Sequence, residues 1–295
     1  GLLDRERIIA KAGFNRWMVP PAALCIHLCI GMAYGFSVFW KPLENVLLGP
    51  DGKALPLCSA GATTFSEKTA GTLTALTATD CNWSQFDLGW MYTFFFVLLG
   101  VSAAIWGGWL ERAGPRKAGF VATLCWCGGL LISALGIYLH QLWMLWLGSG
   151  VIGGVGLGLG YISTALMGYF KTASHPGVWE TFVAMAAIYL VFMLIGTFGY
   201  RVPPAGWKPE GWTAPVNSNA MISSKHVHLD NAHKTPQFWL LWLVLCMNVS
   251  AGIGIIGAAS PMLQETFGGA LVGSVETSYL DLKKDAALAA GAAAV

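Results

Sequence analysis

The feature that most constrains this chain is a charged stretch between two long apolar runs. Residues 107–117 read Gly-Gly-Trp-Leu-Glu-Arg-Ala-Gly-Pro-Arg-Lys, and the flanking runs 86–110 and 118–139 contain one acid, Asp87, and no base. Each run is long enough to cross a bilayer as a helix. Because short connections rich in Lys and Arg resist translocation, we predict a hairpin loop at 107–117 on the cytoplasmic side of a membrane.

Composition supports a membrane protein. Hydrophobic residues make up 55% of the chain and charged residues 11%, whereas about a quarter of the residues of a soluble domain are charged. The fold class predicted is an all-α polytopic protein of the lipid bilayer. The net charge is only +2, and the bases are scattered among the loops, so no nucleic-acid partner is expected.

The apolar runs predict about six transmembrane spans. A polar head at 1–16 precedes a bundle at 17–200, a polar linker at 201–236, a further span at 237–267 and a tail at 268–295. Basic residues outnumber acids in the head, which favours a cytoplasmic N-terminus. The bundle has an outer loop at 43–85, and its spans lie near 17–40, 86–110, 118–139, 142–162 and 181–200.

The number of spans conflicts with the charge of the linker. Five spans after a cytoplasmic N-terminus leave residues 201–236 outside the cell. The linker nevertheless has more bases than acids, which favours the cytoplasmic side. One crossing is therefore missing from the predicted topology.

Two cysteines lie in the outer loop. Cys58 and Cys81 can form a disulfide in an oxidising compartment, and the alternative is two free thiols. The other five cysteines lie in apolar spans, where we interpret them as small packing residues.

No metal, cofactor or catalytic residue is predicted, and we do not expect an enzyme. The glycine run 153–160 lacks the preceding strand and the following Lys-Ser/Thr of a phosphate-binding loop. We interpret it as a surface for close helix packing. A membrane-anchored metalloenzyme using His226, His228 and His233 would need more ligands than the linker offers.

Residues 107–117 resemble the signature between the second and third helices of the major facilitator superfamily, Gly-x-x-x-Asp-Arg-x-Gly-x-Arg-Lys, with Glu111 in place of the aspartate. More specific motifs resemble the oxalate/formate antiporter family within that superfamily. These motifs are Gly31-Met-Ala-Tyr-Gly-Phe-Ser-Val-Phe-Trp-Lys-Pro-Leu43, Cys81-Asn-Trp-Ser84, Gly156-Leu-Gly-Leu-Gly-Tyr-Ile-Ser163 and Pro203-Pro-Ala-Gly-Trp-Lys-Pro-Glu-Gly-Trp212.

The resemblance implies a partial major-facilitator bundle, with 201–236 as the inter-half linker and 237–267 as the first span of a second half. It implies a bacterial inner-membrane transporter of small carboxylates, by oxalate/formate-type exchange or related monocarboxylate transport. Tyr34 and Tyr161 are the implied substrate-binding residues. The implied gating residues, which also set the topology, are Gly107, Glu111, Arg112, Gly114, Arg116 and Lys117.

The sequence departs from this family in two places. The fifth helix, expected between Ser163 and Thr164, is missing, and the chain stops where the eighth helix would begin. We therefore expect a missing C-terminal half or another membrane protein as a partner. The alternative function is a non-transporting membrane scaffold or accessory subunit derived from a transporter.

Overall fold

The computed structural model describes residues 2–30, 36–154, 170, 177–204, 206–208, 211, 227 and 229–267. Within them, strand pairing is limited to isolated bridges, and a π-helix spans Trp146–Ile152. The long helices are α1 (Val19–Ile30), α2 (Phe65–Ala75), α3 (Gln85–Ala113), α4 (Pro115–Tyr138), α5 (Val178–Gly199) and α6 (Pro236–Phe267). Shorter helical segments are Arg5–Ile8, Arg16–Met18, Phe36–Phe39, Trp40–Leu43, Leu142–Leu145 and Leu229–Ala232.

Four helices among the described residues are long and apolar enough to cross a membrane. The qualifying segments are Gln85–Ala103, Pro115–Tyr138, Val178–Gly199 and Pro236–Ala259. The predicted all-α polytopic fold is therefore confirmed. The predicted spans 17–40 and 142–162 are described only in part, because residues 31–35 and 155–162 lie outside the described residues.

The predicted loop at 107–117 is helical apart from one residue. Helix α3 continues through Ala113, and α4 begins at Pro115. Gly114 joins them with φ of +82°, a conformation that favours glycine. Proline then fits the first position of α4, where its missing N–H costs no hydrogen bond. Arg116 therefore lies in the first turn of a helix and not in a loop.

Helices α4 and α5 are antiparallel. At one end the rings of Tyr138 and Trp179 meet edge to face at 5.3 Å. At the other end Arg116 donates to the carbonyl oxygen of Phe198 at 3.2 Å. We call the first end the Cys81 end, because His140, which follows α4, lies 2.8 Å from the Cys81 carbonyl oxygen. The second is the Gly114 end, since Gly114 directly precedes α4.

This orientation differs from the topology expected from the number of spans. Because α5 runs from the Cys81 end to the Gly114 end, the linker starts on the same side as Gly114. Residues 107–117 and the start of the linker, two stretches with more bases than acids, therefore share one side. The expected absence of a fifth helix after Ser163 falls within residues 155–176, of which only Phe170 is described.

The segment before α3 is fixed by a disulfide and a buried amide. Cys58 and Cys81 are joined, with their Cα atoms 5.0 Å apart. Asn82 is fully buried. Its side chain accepts from the Leu47 N–H at 2.9 Å and donates to the carbonyl oxygens of Leu47 and Leu55 at 2.9 and 3.0 Å. One side chain thus adds to the few backbone hydrogen bonds of this irregular segment and satisfies its buried polar groups.

Asp87, the one acid in the flanking runs, caps the start of α3. Its carboxylate accepts from the Ser84 N–H at 2.8 Å and from the Thr72 hydroxyl, while the Ser84 hydroxyl accepts from the Asp87 N–H. A buried carboxylate is stable here because the positive end of the helix dipole and these donors offset its charge.

The chain forms two compact units, Gly1–Val202 with Ile256–Val295, and Pro203–Ile255. In the second unit the Trp239 indole donates to the carbonyl oxygen of His233 at 2.7 Å. The Trp239 ring also packs edge to face against Trp242, with centroids 6.0 Å apart. The sites described below all lie in the first unit.

Candidate functional site

The two predicted substrate residues, Tyr34 and Tyr161, lie outside the described residues. The interior of the first unit is instead recognised by its aromatic packing. Tyr92 stacks on Phe95 with centroids 6.2 Å apart, and Phe95 meets Trp126 edge to face at 6.4 Å. The interior that the described residues form is therefore apolar and aromatic.

A small cavity, which we call the aromatic cavity, lies among these rings. Its volume is about 20 Å³, and it is lined by Phe36, Met91, Tyr92, Phe95, Trp126, Leu130 and Ser149. This volume holds about one water-sized group. The Trp126 side chain is buried, and its indole nitrogen has no hydrogen-bond partner. An unmet buried donor costs about 1–3 kcal/mol, so this indole nitrogen destabilises the interior.

Glycines bring the π-helix against α4 beside this cavity. A Cβ added at Gly129 would lie 2.6 Å from the carbonyl oxygen of Gly148. The hydroxyls of Ser133 and Ser149 hydrogen-bond across the same contact at 2.7 Å. Short π-helical segments occur frequently at functional sites. This one positions Ser149 in the cavity wall.

At the Gly114 end, Arg116 contacts backbone oxygens. The side chain is 5% exposed, and the guanidinium donates to the carbonyl oxygens of Leu2 at 3.1 Å and Phe198 at 3.2 Å. Arg201 donates to the same Phe198 oxygen at 2.7 Å. Arg116 therefore connects the N-terminal segment, α4 and the end of α5.

Of the other predicted gating residues, Arg112 and Lys117 are exposed. The predicted pairing of Glu111 with a base stays a prediction, because the Glu111 side chain lies outside the described part of the chain. The surroundings of Gly107 lie outside it as well. Sequence reasoning missed the backbone partners of Arg116, since no residue pattern marks a carbonyl that lies 82 positions away.

At the Cys81 end, His140 is 4% exposed and has a positive φ of 50°. Its Nε2 lies 2.8 Å from the carbonyl oxygen of Cys81, and its ring stacks on Trp83 with centroids 4.2 Å apart. Because a carbonyl oxygen only accepts, Nε2 bears the proton. Burial lowers the pKa of His140, and the Cys81 hydrogen bond opposes this in part.

A larger cavity, the Cys81-end cavity, lies beside His140. Its volume is about 210 Å³, and it is lined by Val46, Leu47, Ile137, Tyr138, His140, Gly177, Val178 and Trp179. No residue pattern in the sequence marks this cavity or His140. The only available signal was the position of His140 in the short turn after an apolar run.

Comparison with known proteins addresses the family. Residues 56–169 match the family model described as Major Facilitator Superfamily. The curated protein "Uncharacterized MFS-type transporter YhjX" of Escherichia coli (strain K12) is 24% identical over an alignment of 195 residues, which covers 56% of this chain and 46% of that protein. Both findings support the major facilitator superfamily. They do not address the oxalate/formate antiporter family.

The chain spans about half the length of this curated relative. No solved structure matches the chain. The segment that matches the superfamily model contains α2, α3, α4 and the π-helix. It therefore includes the Gly114 junction and the whole wall of the aromatic cavity except Phe36.

Proposed function

We propose that this protein is part of a secondary transporter of small carboxylates, working by oxalate/formate-type exchange or related monocarboxylate transport. The observation that carries the proposal is the superfamily match over residues 56–169, because this segment builds both the Gly114 junction and the aromatic cavity. The substrate class rests on the resemblance of the sequence motifs to oxalate/formate antiporters. No covalent step is involved.

Alternating access requires helices that move past one another as rigid bodies. The Gly129–Gly148 contact supports this mechanism, since small residues let two helices approach closely. Arg116 holds the Gly114 end together through backbone oxygens. A change in these contacts would couple opening at that end to movement of α5.

We place the protein in the bacterial inner membrane with the N-terminus and the Gly114 end in the cytoplasm. The hydrogen bond from Arg116 to Leu2 puts the N-terminal segment at the Gly114 end. Basic residues are concentrated on both sides of this contact, as expected for a cytoplasmic face. The linker also begins there.

The substrate site is proposed to lie in the interior, with Tyr34 and Tyr161 offering phenolic hydroxyls. The aromatic cavity gives this site an apolar wall. A carboxylate also needs a cation in such surroundings. We propose that the remaining part of the transporter, or a partner membrane protein, supplies it.

Binding of radiolabelled oxalate to the purified transporter in lipid nanodiscs, with its remaining part or partner membrane protein present, tests the substrate class. We expect saturable binding that excess formate displaces and that an uncharged solute of similar size, such as urea, leaves unchanged. Binding that urea displaces equally well, or no saturable binding, would contradict the proposal.

The second candidate is a membrane scaffold or accessory subunit. Helix α6 favours it, because Trp239, Leu241 and Val244 are each more than half exposed. In a membrane these side chains meet either lipid or another protein. A stoichiometric protein partner that survives purification, together with an absence of oxalate binding, would support the scaffold over the transporter.

A further inference from the structure

A hydrogen bond joins the aromatic interior of the first unit to the end of α6. Residues from Ile256 onwards belong to that unit. Trp40 is 6% exposed, and its indole Nε1 donates to the carbonyl oxygen of Gly257 at 2.8 Å. Glycine permits this approach, since a Cβ at Gly257 would lie 3.0 Å from the Tyr92 ring. The contact therefore depends on one indole and one backbone oxygen.

Pro261 explains why this backbone oxygen is available. In an α-helix each carbonyl oxygen accepts from the N–H four residues later, and the residue four positions after Gly257 is Pro261, inside α6. Proline has no N–H, so the Gly257 oxygen lacks its α-helical partner. In membranes, neighbouring helices satisfy backbone groups released in this way. The Trp40 indole thus replaces the hydrogen bond that the proline removes.

The contact lies beside the aromatic cavity, towards the Cys81 end. The Trp40 ring meets Phe36 at 6.3 Å and Tyr92 at 6.0 Å, edge to face in both cases, and both partners line the cavity. Beyond Trp40 the chain leads to Leu47, whose N–H is bound by the residue that follows Cys81. The bond between the indole and α6 therefore stands between the aromatic cavity and the Cys81 end.

We propose that Trp40 is a positioning residue of the transport cycle. Its hydrogen bond to Gly257, which we call the latch, holds α6 against the aromatic rings and closes the interior at the Cys81 end. This role rests on the proposed transporter function. When the latch breaks, water from the Cys81 end hydrates both the indole N–H and the Gly257 oxygen, so the interior opens there.

The proline makes the latch both effective and reversible. A carbonyl oxygen already paired within its helix would gain little from a second donor, whereas an unpaired buried oxygen is costly and gains a full hydrogen bond. Opening breaks this one bond and leaves the other backbone bonds of α6 in place. Neither an indole N–H nor a carbonyl oxygen titrates, so the latch should act equally across the physiological pH range.

Thiol labelling from one face of the membrane tests the latch. All variants carry Ser149→Cys in the wall of the aromatic cavity, and peptide mass spectrometry follows its reaction with a membrane-impermeant thiol reagent. The reagent is added to spheroplasts that contain the whole transporter, so it reaches the Cys81 end in the proposed orientation. Trp40→Phe keeps an aromatic ring without the donor, and we expect labelling about tenfold faster, as for one lost hydrogen bond. Trp143→Phe removes an exposed indole bond to Gln141 and should leave the rate unchanged.

Pro261→Ala separates the latch from simple packing. Alanine restores a backbone N–H, so the Gly257 oxygen has a helix partner without Trp40. In this background Trp40→Phe should speed labelling by no more than about twofold, because the two changes act on one oxygen. The same acceleration in both backgrounds would show that Trp40 acts by packing alone and would overturn the inference. Labelling that Trp40→Phe leaves unchanged would overturn it too.

The outcome for the latch is separate from the outcome for the proposed function. Oxalate binding without an effect of Trp40→Phe on labelling would overturn the latch and leave the function intact. The expected labelling pattern in a protein that binds no oxalate would support the latch and overturn the function. The same pattern from inside-out vesicles alone would support the latch and overturn the proposed orientation.

Discussion

Replacement of Gly129 by Ala tests the helix contact that builds the aromatic cavity. The new Cβ would lie 2.6 Å from the Gly148 carbonyl oxygen and 3.1 Å from the Gly153 nitrogen, where ordinary contact begins near 3.4 Å. Both neighbours are backbone atoms, so no side chain can rotate away. The π-helix and α4 must therefore separate by a large fraction of an ångström.

Gly128 provides a matched control in the same helix. A Cβ at Gly128 meets nothing within 4 Å. Both substitutions bring the same gain in helix propensity, about 1 kcal/mol, so this term cancels in the comparison. Overpacking costs about 1–3 kcal/mol. We expect Gly129→Ala to be less stable than Gly128→Ala by that amount.

Thermal unfolding of both variants in the same nanodiscs measures the difference. At about 2–4 °C per kcal/mol for a domain of this order of size, Gly129→Ala should unfold at least about 2 °C below Gly128→Ala. Equal unfolding temperatures would refute the close packing of the π-helix on α4.

Three further predictions concern single charged groups. Arg116→Lys loses the guanidinium contacts to two carbonyl oxygens and should lower the free energy of unfolding by about 1–3 kcal/mol, whereas Arg112→Lys, at an exposed position, should not. Hydrogen bonds from Thr64 and Thr63 lower the pKa of Glu67 to about 2. The ionised carboxylate should therefore stabilise the fold above the ordinary glutamate pKa, and this stabilisation should be lost as pH falls towards 2. An NMR titration of the Glu67 carboxyl carbon measures this pKa, and an ordinary glutamate value would contradict the prediction. Burial lowers the pKa of His140, so as pH falls the unfolded state is the first to protonate this imidazole. Stability should fall as pH drops through the ordinary histidine value of about 6.5, and a slope unchanged in H140Q would contradict this.

Sequence alone predicts the helices of this fold, because an apolar run long enough to cross a membrane has few alternative structures that satisfy its backbone hydrogen bonds in lipid. It also places the start of α3, since Ser84 and Asp87 form a capping box that is local in the chain. The prediction of a loop over the whole of 107–117 was wrong, because the charged residues there belong to the end of α3 and the start of α4. Only Gly114 has a backbone conformation that interrupts them.

The sites were less predictable because their partners are distant in sequence. His140 and the Cys81 oxygen are 59 positions apart, and no periodicity links them. The π-helix depends on glycine contacts between two helices, while the sequence shows only a glycine-rich run. The orientation of α5 is shown by contacts such as that of Arg116 with Phe198, which counting apolar segments cannot reveal.

The most direct measurement is oxalate uptake into proteoliposomes that contain the purified transporter, with its remaining part or partner membrane protein, loaded inside with formate or left empty. We expect saturable uptake that internal formate accelerates and that protein-free liposomes lack. Uptake no faster than in protein-free liposomes, with or without internal formate, would contradict the proposal that this protein transports small carboxylates.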